Sequence, residues 1–398
     1  MKIFKLEGVV QHYDWGGFAY IPSLLGQPTS EEKYAEYWMG AHEKAPAKVV
    51  PTGQHLDEFI GEDPRKTLGK KVYERFGRLP YLFKVLDVKD MLSIQVHPTK
   101  KEAEVAFAEE NKRGVPLNAP DRNYKDDNHK PEIMVALSEF WLLHGFRPEA
   151  AMRSILRDVP ELRPLLPVFD RAGYRGLYQQ VMEESVQETN STLRPLIERI
   201  LPGYEQGTIT KAKPEFWAAR AYQTFCDKEV IDKGIYSIFF FNIVQLAKGE
   251  GIFQDAGVPH AYMEGQNMEL MANSDNVLRG GLTPKHVDVQ ELLKRVNFQA
   301  TVPNVLQSTS GQNPREEVYQ SPVQDFALSK IELSEWEEVD CVASSVEIAI
   351  VLEGAAQISC EGETLHLEKG EVFAATAASA YTISAKHSAL LYKAACPV

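Results

Sequence analysis

The chain has 398 residues, 44% hydrophobic and 25% charged, an ordinary globular composition that supports two or three packed domains and excludes wholesale disorder. Its formal net charge of -13 excludes a general nucleic-acid or membrane-surface binder, which needs a basic face. The same charge would repel a phosphorylated ligand, so any such ligand must be met by lysines or arginines gathered locally.

The N-terminal run Met1–Glu7 lacks the uninterrupted apolar stretch of a signal peptide. The longest apolar run, near Ile235–Ala247, is broken by Ser237, Asn242 and Gln245. It falls short of the roughly 18 residues a membrane span requires. Cys226, Cys341, Cys360 and Cys396 are scattered with no C-x-x-C spacing. They read as reduced thiols of a cytoplasmic protein.

Residues 1–148 carry strand-like alternation between turn residues, with some helix. Tyr81–Val88 and Met91–His97 are short apolar runs of this kind. On the second, Ile94 and Val96 point to the core, while Ser93, Gln95 and His97 line the opposite face. Imidazole nitrogen and amide oxygen both bind zinc, and i, i+2 spacing lets two neighbours share one ion. A solvent-facing strand edge is the plainer alternative. Asn128-His129-Lys130-Pro131-Glu132 repeats the spacing. Pro131 biases Lys130 towards extended backbone, so Lys130 and Glu132 share a face, as an anion contact and an anionic metal ligand or as a surface ion pair.

Residues 149–232 change to three- and four-residue apolar spacing. Ala150–Leu156, Tyr174–Glu184, Thr192–Leu201 and Glu215–Cys226 are expected helices. From Ile235 onward β texture returns, with Val346–Val351, Gln357–Ser359 and Thr364–Leu367 as strands and Glu361-Gly362-Glu363 as a turn. Two stretches match in spacing: Gly249-x5-Asp255-x-Gly257-x-x-His260 and Gly370-x5-Thr376-x-Ala378-x-x-Tyr381. Both resemble the second motif of the cupin superfamily, with Asp255 and Thr376 in place of its proline. Two related jelly rolls follow, one keeping the histidine ligand and one metal-free. Between them, Asn273–His286 offers Arg279 and Lys285 for an oxyanion. A helix is expected from near Pro284, with Lys285 in its first turn, against the helix dipole unless an anion binds there.

Taken together, these segments resemble the type I phosphomannose isomerase family over nearly the whole chain. The resemblance is carried by Gln11–Gly16, Glu36–His42, Leu79–Leu86, Leu92–Pro98, His129–Glu132, Val258–Tyr262 and Asp275–Lys285. It implies one Zn2+ per chain on Gln95, His97, Glu132 and His260, and Arg279 as the active-site residue. Ser93, Lys130 and Lys285 are implied for the substrate and its phosphate, and Tyr262 and Glu269 near the metal. The implied fold is mainly β with an α insertion: a cupin-like double jelly roll plus a helical domain. Residues 1–148 and 233–320 would form the catalytic cupin-like domain, 149–232 the helical domain and 321–398 the C-terminal metal-free jelly roll.

The implied reaction interconverts D-mannose 6-phosphate and D-fructose 6-phosphate by moving a proton between C1 and C2 through an enediol(ate). Arginine is a poor base, so Glu269 or a zinc-bound water leads the candidates for that step. The expected partner is a small sugar phosphate, with no nucleic acid and no membrane, and the family implies a monomer. The alternatives are a non-catalytic cupin-type sugar-phosphate binding protein, an iron-dependent cupin oxygenase, and a bifunctional guanylyltransferase. The last lacks a Gly-rich phosphate loop before a helix.

Overall fold

The computed structural model describes residues 1–227, 229–311 and 313–397. Lys228, Gln312 and Val398, which fall in the expected helical, second catalytic and C-terminal segments, lie outside the described residues.

One long ladder runs Gly251–Gln254, Glu132–Ala136, His260–Ala272, Tyr81–Val88, Glu36–Gly40 and Val9–Gln11. Side chains alternate between its faces. Tyr81, Phe83, Val85, Ile133, Val135, Met268 and Leu270 point outward into a core shared with Phe4, Leu328, Ile348 and Ile350. Glu36, Lys84, Glu132, Asn267 and Glu269 take the other face, all buried. That face looks onto a second set of strands, Gln95–Val96, Phe140–Phe146, Phe241–Leu246 and Leu278–Arg279.

The His260–Ala272 strand serves both sets. It turns the corner where the register shifts between Tyr262 and Glu264. Gly265 stands at the bend with φ 127°, and a Cβ there would lie 2.6 Å from the Glu139 carbonyl, so only glycine fits. Leu86, Val88, Met134, Phe140, Leu142, Val244 and Tyr262 fill one end of the roll with apolar packing. The polar residues are left at the other end.

The expected helices form as Glu149–Asp158, Leu166–Glu183, Val186–Glu205 and Pro214–Phe225. Leu193, Leu196, Ile197 and Ile200 are buried along one face, each contributing about 1.5–3 kcal/mol of apolar burial. They share a core with Trp141, Leu143, Ala261, Met263, Val96 and Leu278, the outer face of the second strand set. The helical insertion therefore backs the sheet that carries His260 and Gln95.

The C-terminal sheet also takes strands from far upstream. Ile3–Glu7 pairs with Val372–Ala375, and Lys48–Val49 pairs with Ile3–Glu7. Thr309–Ser310 and Glu316–Tyr319 join the same sheet. The ranges 1–148 and 233–320 thus each contribute to both sheets.

Three local expectations are corrected. The apolar run after Ile235 opens as a helix, Gly234–Phe240, buried on every side, before the strand Phe241–Leu246. A short run with no polar alternation does not distinguish a buried helix from a strand. Met91–His97 is extended, but ladder pairing is confined to Gln95–Val96. The helix expected near Pro284 starts at Val289, because the Asp288 side chain caps it by accepting the Glu291 N–H. Lys285 lies in the loop before it, so the dipole argument does not apply.

Candidate metal centre and active site

Ladder register brings three of the expected residues into one row. Gln95 stands directly opposite His260 on one side and Arg279 on the other. Directly opposed residues of antiparallel strands place their side chains on the same face, so these three face the same interior.

His97 follows at the end of the strand. Pro98 and the capping box of Thr99 and Glu102 start the helix Lys100–Lys112 immediately after it. The Gly257 N–H donates to the His97 carbonyl at 2.9 Å, tying the turn before His260 to the first histidine. Gly257 has φ 77°, with a Cβ position only 3.0 Å from the Arg295 carbonyl, so the turn requires glycine.

The two imidazoles are close, with ring centroids 5.0 Å apart. His97 Nε2 lies 3.4 Å from Glu132 Oε1, and His260 Nε2 lies 3.5 Å from Glu132 Oε2. His97 Nδ1 is 2.9 Å from the Asn276 carbonyl, and His260 Nδ1 is 3.0 Å from the Val258 carbonyl. A carbonyl only accepts, so each Nδ1 carries the proton and each Nε2 presents a lone pair. Both Nε2 atoms are buried without a hydrogen-bond partner. Burial pushes the His97 pKa down to about 4, keeping it neutral. Burial works against the Glu132 carboxylate, but the Lys130 charge beside it outweighs this and holds its pKa well below the ordinary value.

Two neutral imidazole nitrogens and one carboxylate, all within 4.8 Å of one another, are a donor set for a divalent transition metal. The orphaned Nε2 atoms are what such an ion would satisfy, so the residues fit zinc. Gln95, opposite His260, supplies an amide oxygen on the same face.

Lys130 Nζ lies 3.0 Å from Glu132 Oε1, as the spacing predicts. Glu269 faces Lys84, with Oε2 to Nζ 3.1 Å, and Lys84 also reaches Glu36 at 3.1 Å. The Lys84 ammonium sits over the Trp38 ring, 5.1 Å from its centroid. Burial raises the Glu269 pKa, and the Glu132 and Glu36 charges add to that against Lys84. The Tyr262 hydroxyl is buried without a hydrogen-bond partner, and burial followed by the Glu269 charge raises its pKa well above the usual value.

The cations of the loop are gathered and uncompensated. Arg279 is half-buried and has no ion-pair partner among the described residues. Its pKa is lowered by burial, and that of Lys285 by burial and then by the Arg279 and Lys44 charges. Ser93 lies half-buried in a segment held by the Leu92 N–H donating to the Tyr262 carbonyl and the Ile94 N–H to the Gly281 carbonyl.

Sequence reasoning missed Lys84, Glu36, Asn276 and Asp232. Lys84 left a signal, since it is the one ammonium inside the otherwise buried run Tyr81–Val88. A lysine there must be paired. Asp232 left none. Its Oδ1 accepts the N–H groups of Gly234 at 2.7 Å and Leu282 at 2.8 Å, and its Oδ2 accepts that of Thr283 at 3.2 Å. It thereby anchors the loop leading to Lys285 to the helical insertion.

Fold and donor set define a metal-binding jelly-roll protein whose site faces a cluster of cations. The model of the type I phosphomannose isomerase catalytic domain matches residues 3–149. Mannose-6-phosphate isomerase of Escherichia coli (strain K12) is 36% identical over 376 residues, covering 92% of this chain and 93% of the relative. That of Mus musculus is 32% identical over 99% of both chains. A crystal structure of mannose 6-phosphate isomerase bound with zinc and yttrium matches with TM-score 0.90 and 32% identity, covering 100% of both chains. The Salmonella typhimurium enzyme bound to its substrate (f6p) and zinc matches with TM-score 0.89, 32% identity and the same coverage. The chain belongs to the type I phosphomannose isomerase family.

Proposed function

We propose that this chain is a zinc-dependent aldose–ketose isomerase interconverting D-mannose 6-phosphate and D-fructose 6-phosphate, with one zinc per chain. The observation that carries it is the convergence of the His97 and His260 Nε2 lone pairs on Glu132, on the sheet where Arg279, which has no ion-pair partner among the described residues, stands opposite Gln95. His97, His260, Glu132 and Gln95 would hold the ion. Zinc there supplies Lewis acidity to the carbonyl and hydroxyl oxygens of a bound sugar.

The chain's own groups supply the rest. Glu269 is the candidate proton acceptor and donor between C1 and C2. Burial lifts its basicity, and Lys84 fixes one of its oxygens at 3.1 Å. Arg279 stabilises the developing oxyanion, a role suited to a guanidinium with no ion-pair partner among the described residues. Lys285 and Ser93 receive the phosphate, whose binding energy aligns the reacting carbons. Lys130 and Tyr262 border the sugar between Glu132 and Glu269.

The remaining expectations are part of the same proposal. The net charge of -13 supports a small-molecule partner over nucleic acid, with the chain acting as a monomer. Four free cysteines support a cytoplasmic setting. Among the described residues, no helix is long and apolar enough to cross a membrane. The expected domain division is kept for the helical segment 149–232 and the metal-free segment 321–398.

A coupled assay for fructose 6-phosphate, run on mannose 6-phosphate with glucose 6-phosphate as control, tests the proposal. Turnover of mannose 6-phosphate that disappears on chelation and returns with zinc is expected. Full turnover after exhaustive chelation, or metal binding with no turnover, refutes it; the second outcome favours a sugar-phosphate binding protein.

A further inference from the structure

The two jelly rolls match strand by strand. Gly249 and Gly370 have φ 89° and 84°. Their N–H groups donate to the Ala136 and Val351 carbonyls, both at 2.8 Å. Glu250 accepts the Ala247 N–H, and Glu371 accepts the Glu368 N–H, both at 2.8 Å. Eight residues after each glycine, Gly257 and Ala378 have φ 77° and 63°. Their N–H groups donate to the His97 carbonyl at 2.9 Å and the Ala343 carbonyl at 2.7 Å.

The ladders carry the match outward. Gln254 faces Glu132, and Ala375 faces Glu347. His260 faces Gln95, and Tyr381 faces Cys341. The row Met134, Glu269, Lys84, Trp38 corresponds to Ala349, Lys393, Ser329, Val318. One row further on, Leu86 with Glu36 corresponds to Ile331 with Glu316. The donor set Gln95, His97, Glu132, His260 therefore maps onto Cys341, Ala343, Glu347, Tyr381. Only the glutamate is kept.

A buried carboxylate without its metal needs another counter-charge. In the catalytic roll the lysine stands on the Tyr81–Val88 strand, between Glu36 and Glu269. In the second roll that place is Ser329, and the lysine has moved one strand over to the counterpart of Glu269. Lys393 Nζ lies 3.0 Å from Glu316 and 3.4 Å from Glu347. The Tyr381 hydroxyl donates to the other Glu347 oxygen at 2.5 Å, and the Ser329 hydroxyl donates to Glu316 at 2.6 Å. All five side chains are buried.

We infer that the C-terminal jelly roll carries a second copy of the metal-bearing end, with the Lys393 ammonium standing as a built-in cation where the first copy takes a divalent metal. This rests on His97, Glu132 and His260 being the metal site of the first copy. The second roll needs no metal to hold Glu347 in its interior.

Restoring the lost donors tests it in the full-length holoenzyme. The variant Ala343→His/Tyr381→His/Lys393→Met is expected to bind one more zinc per chain than the parent, measured by elemental analysis after dialysis. Ala343→His/Tyr381→His with Lys393 in place is expected to match the parent. A folded triple variant with no added zinc overturns the inference, as does added zinc in the double variant. Reading the increment over the parent keeps this separate from the catalytic centre, whose failure would show as a zinc-free parent. Should the triple variant not fold, Lys393→Met alone decides. Without the ammonium, the burial that raises the Glu316 pKa loses its largest opposing charge, so stability is lost as pH rises. Its Tm deficit against the parent is expected to shrink between pH 8 and pH 5. A deficit independent of pH overturns the inference.

Discussion

The Asn276 carbonyl receives the His97 Nδ1–H at 2.9 Å, so Asn276 sets the tautomer of an imidazole whose other nitrogen faces Glu132. The Asn276 amide pins that carbonyl. Its Oδ1 accepts the Lys125 N–H at 2.7 Å, and its Nδ2 donates to the Asp126 and Asn128 carbonyls at 2.8 and 2.9 Å. Asn276→Ala releases the loop without removing a metal donor. Partners of metal-bound imidazoles are worth on the order of 10- to 100-fold in metal affinity. Zinc affinity, measured by competition with a chelator, is expected to fall by that much, while kcat at saturating zinc stays close to the parent. Unchanged affinity would remove Asn276 from the account.

Glu269→Gln separates proton transfer from metal binding. The amide keeps the shape and loses the basic oxygen, and Lys84 retains Glu36 at 3.1 Å as its counter-ion. General acid–base groups contribute about 100- to 10,000-fold to rate. A fall in kcat of that size with one zinc still bound is expected. A near-normal kcat would move the proton transfer to another group.

The β and helical textures were legible because their signals are local, whereas the full set of candidate donors was implied by the family resemblance. Gln95-x-His97 and Lys130-x-Glu132 follow the two-residue period of a strand; Gln95 stands opposite His260 in the ladder, and Lys130 Nζ meets Glu132 Oε1 at 3.0 Å. The spacing from Gly249 to His260 and from Gly370 to Tyr381 marked the two rolls, and their turns carry the same left-handed positions. What stayed hidden depends on contacts across the sequence. Lys84 meets Glu269 over 185 residues of separation. Asp232 lies in the stretch between the helices Pro214–Phe225 and Gly234–Phe240 and finds its partners at Leu282 and Thr283. Likewise, that Ile3–Glu7 would cross to pair with Val372–Ala375 has no signature in either segment. The helix start near Pro284 failed for a local reason: Asp288 is a better cap than anything before it.

Lys285 and Asp232 are expected to act on the same step by different routes. On the proposed role, Lys285→Ala would remove a charge-assisted contact to phosphate, worth about 1.5–3 kcal/mol. KM for mannose 6-phosphate is expected to rise about 10- to 100-fold, with a smaller change in kcat. Asp232→Ala leaves the Arg279 and Lys285 cations in place but removes the carboxylate that holds the Leu282 and Thr283 N–H groups. Leu282 holds φ 55°, a left-handed conformation that a leucine keeps only under restraint. The loop then loses its anchor and KM rises in the same direction. Asp232→Asn, which keeps one acceptor oxygen, is expected to recover part of the loss. An Asp232→Ala enzyme with parental KM would show that the loop holds its shape unaided.

The buried imidazole of His144 gives the chain a stability slope in acid. It sits opposite His260 in the ladder, with Nδ1 2.8 Å from Gln254 Oε1. Burial pushes its pKa down to about 4 from an ordinary value of 6.5. Between those two values the unfolded chain takes up a proton that the folded chain refuses. Stability at this site is therefore complete above pH 6.5 and is lost as pH falls towards 4, by about 1.4 kcal/mol per pH unit within the window. His97, with its pKa also near 4, adds to the slope in zinc-free protein. The urea midpoint of chelated protein is expected to drop steadily across this range. His144→Gln, which has no titrating group, is expected to flatten the drop, and an identical slope in that variant would show that His144 is not buried neutral.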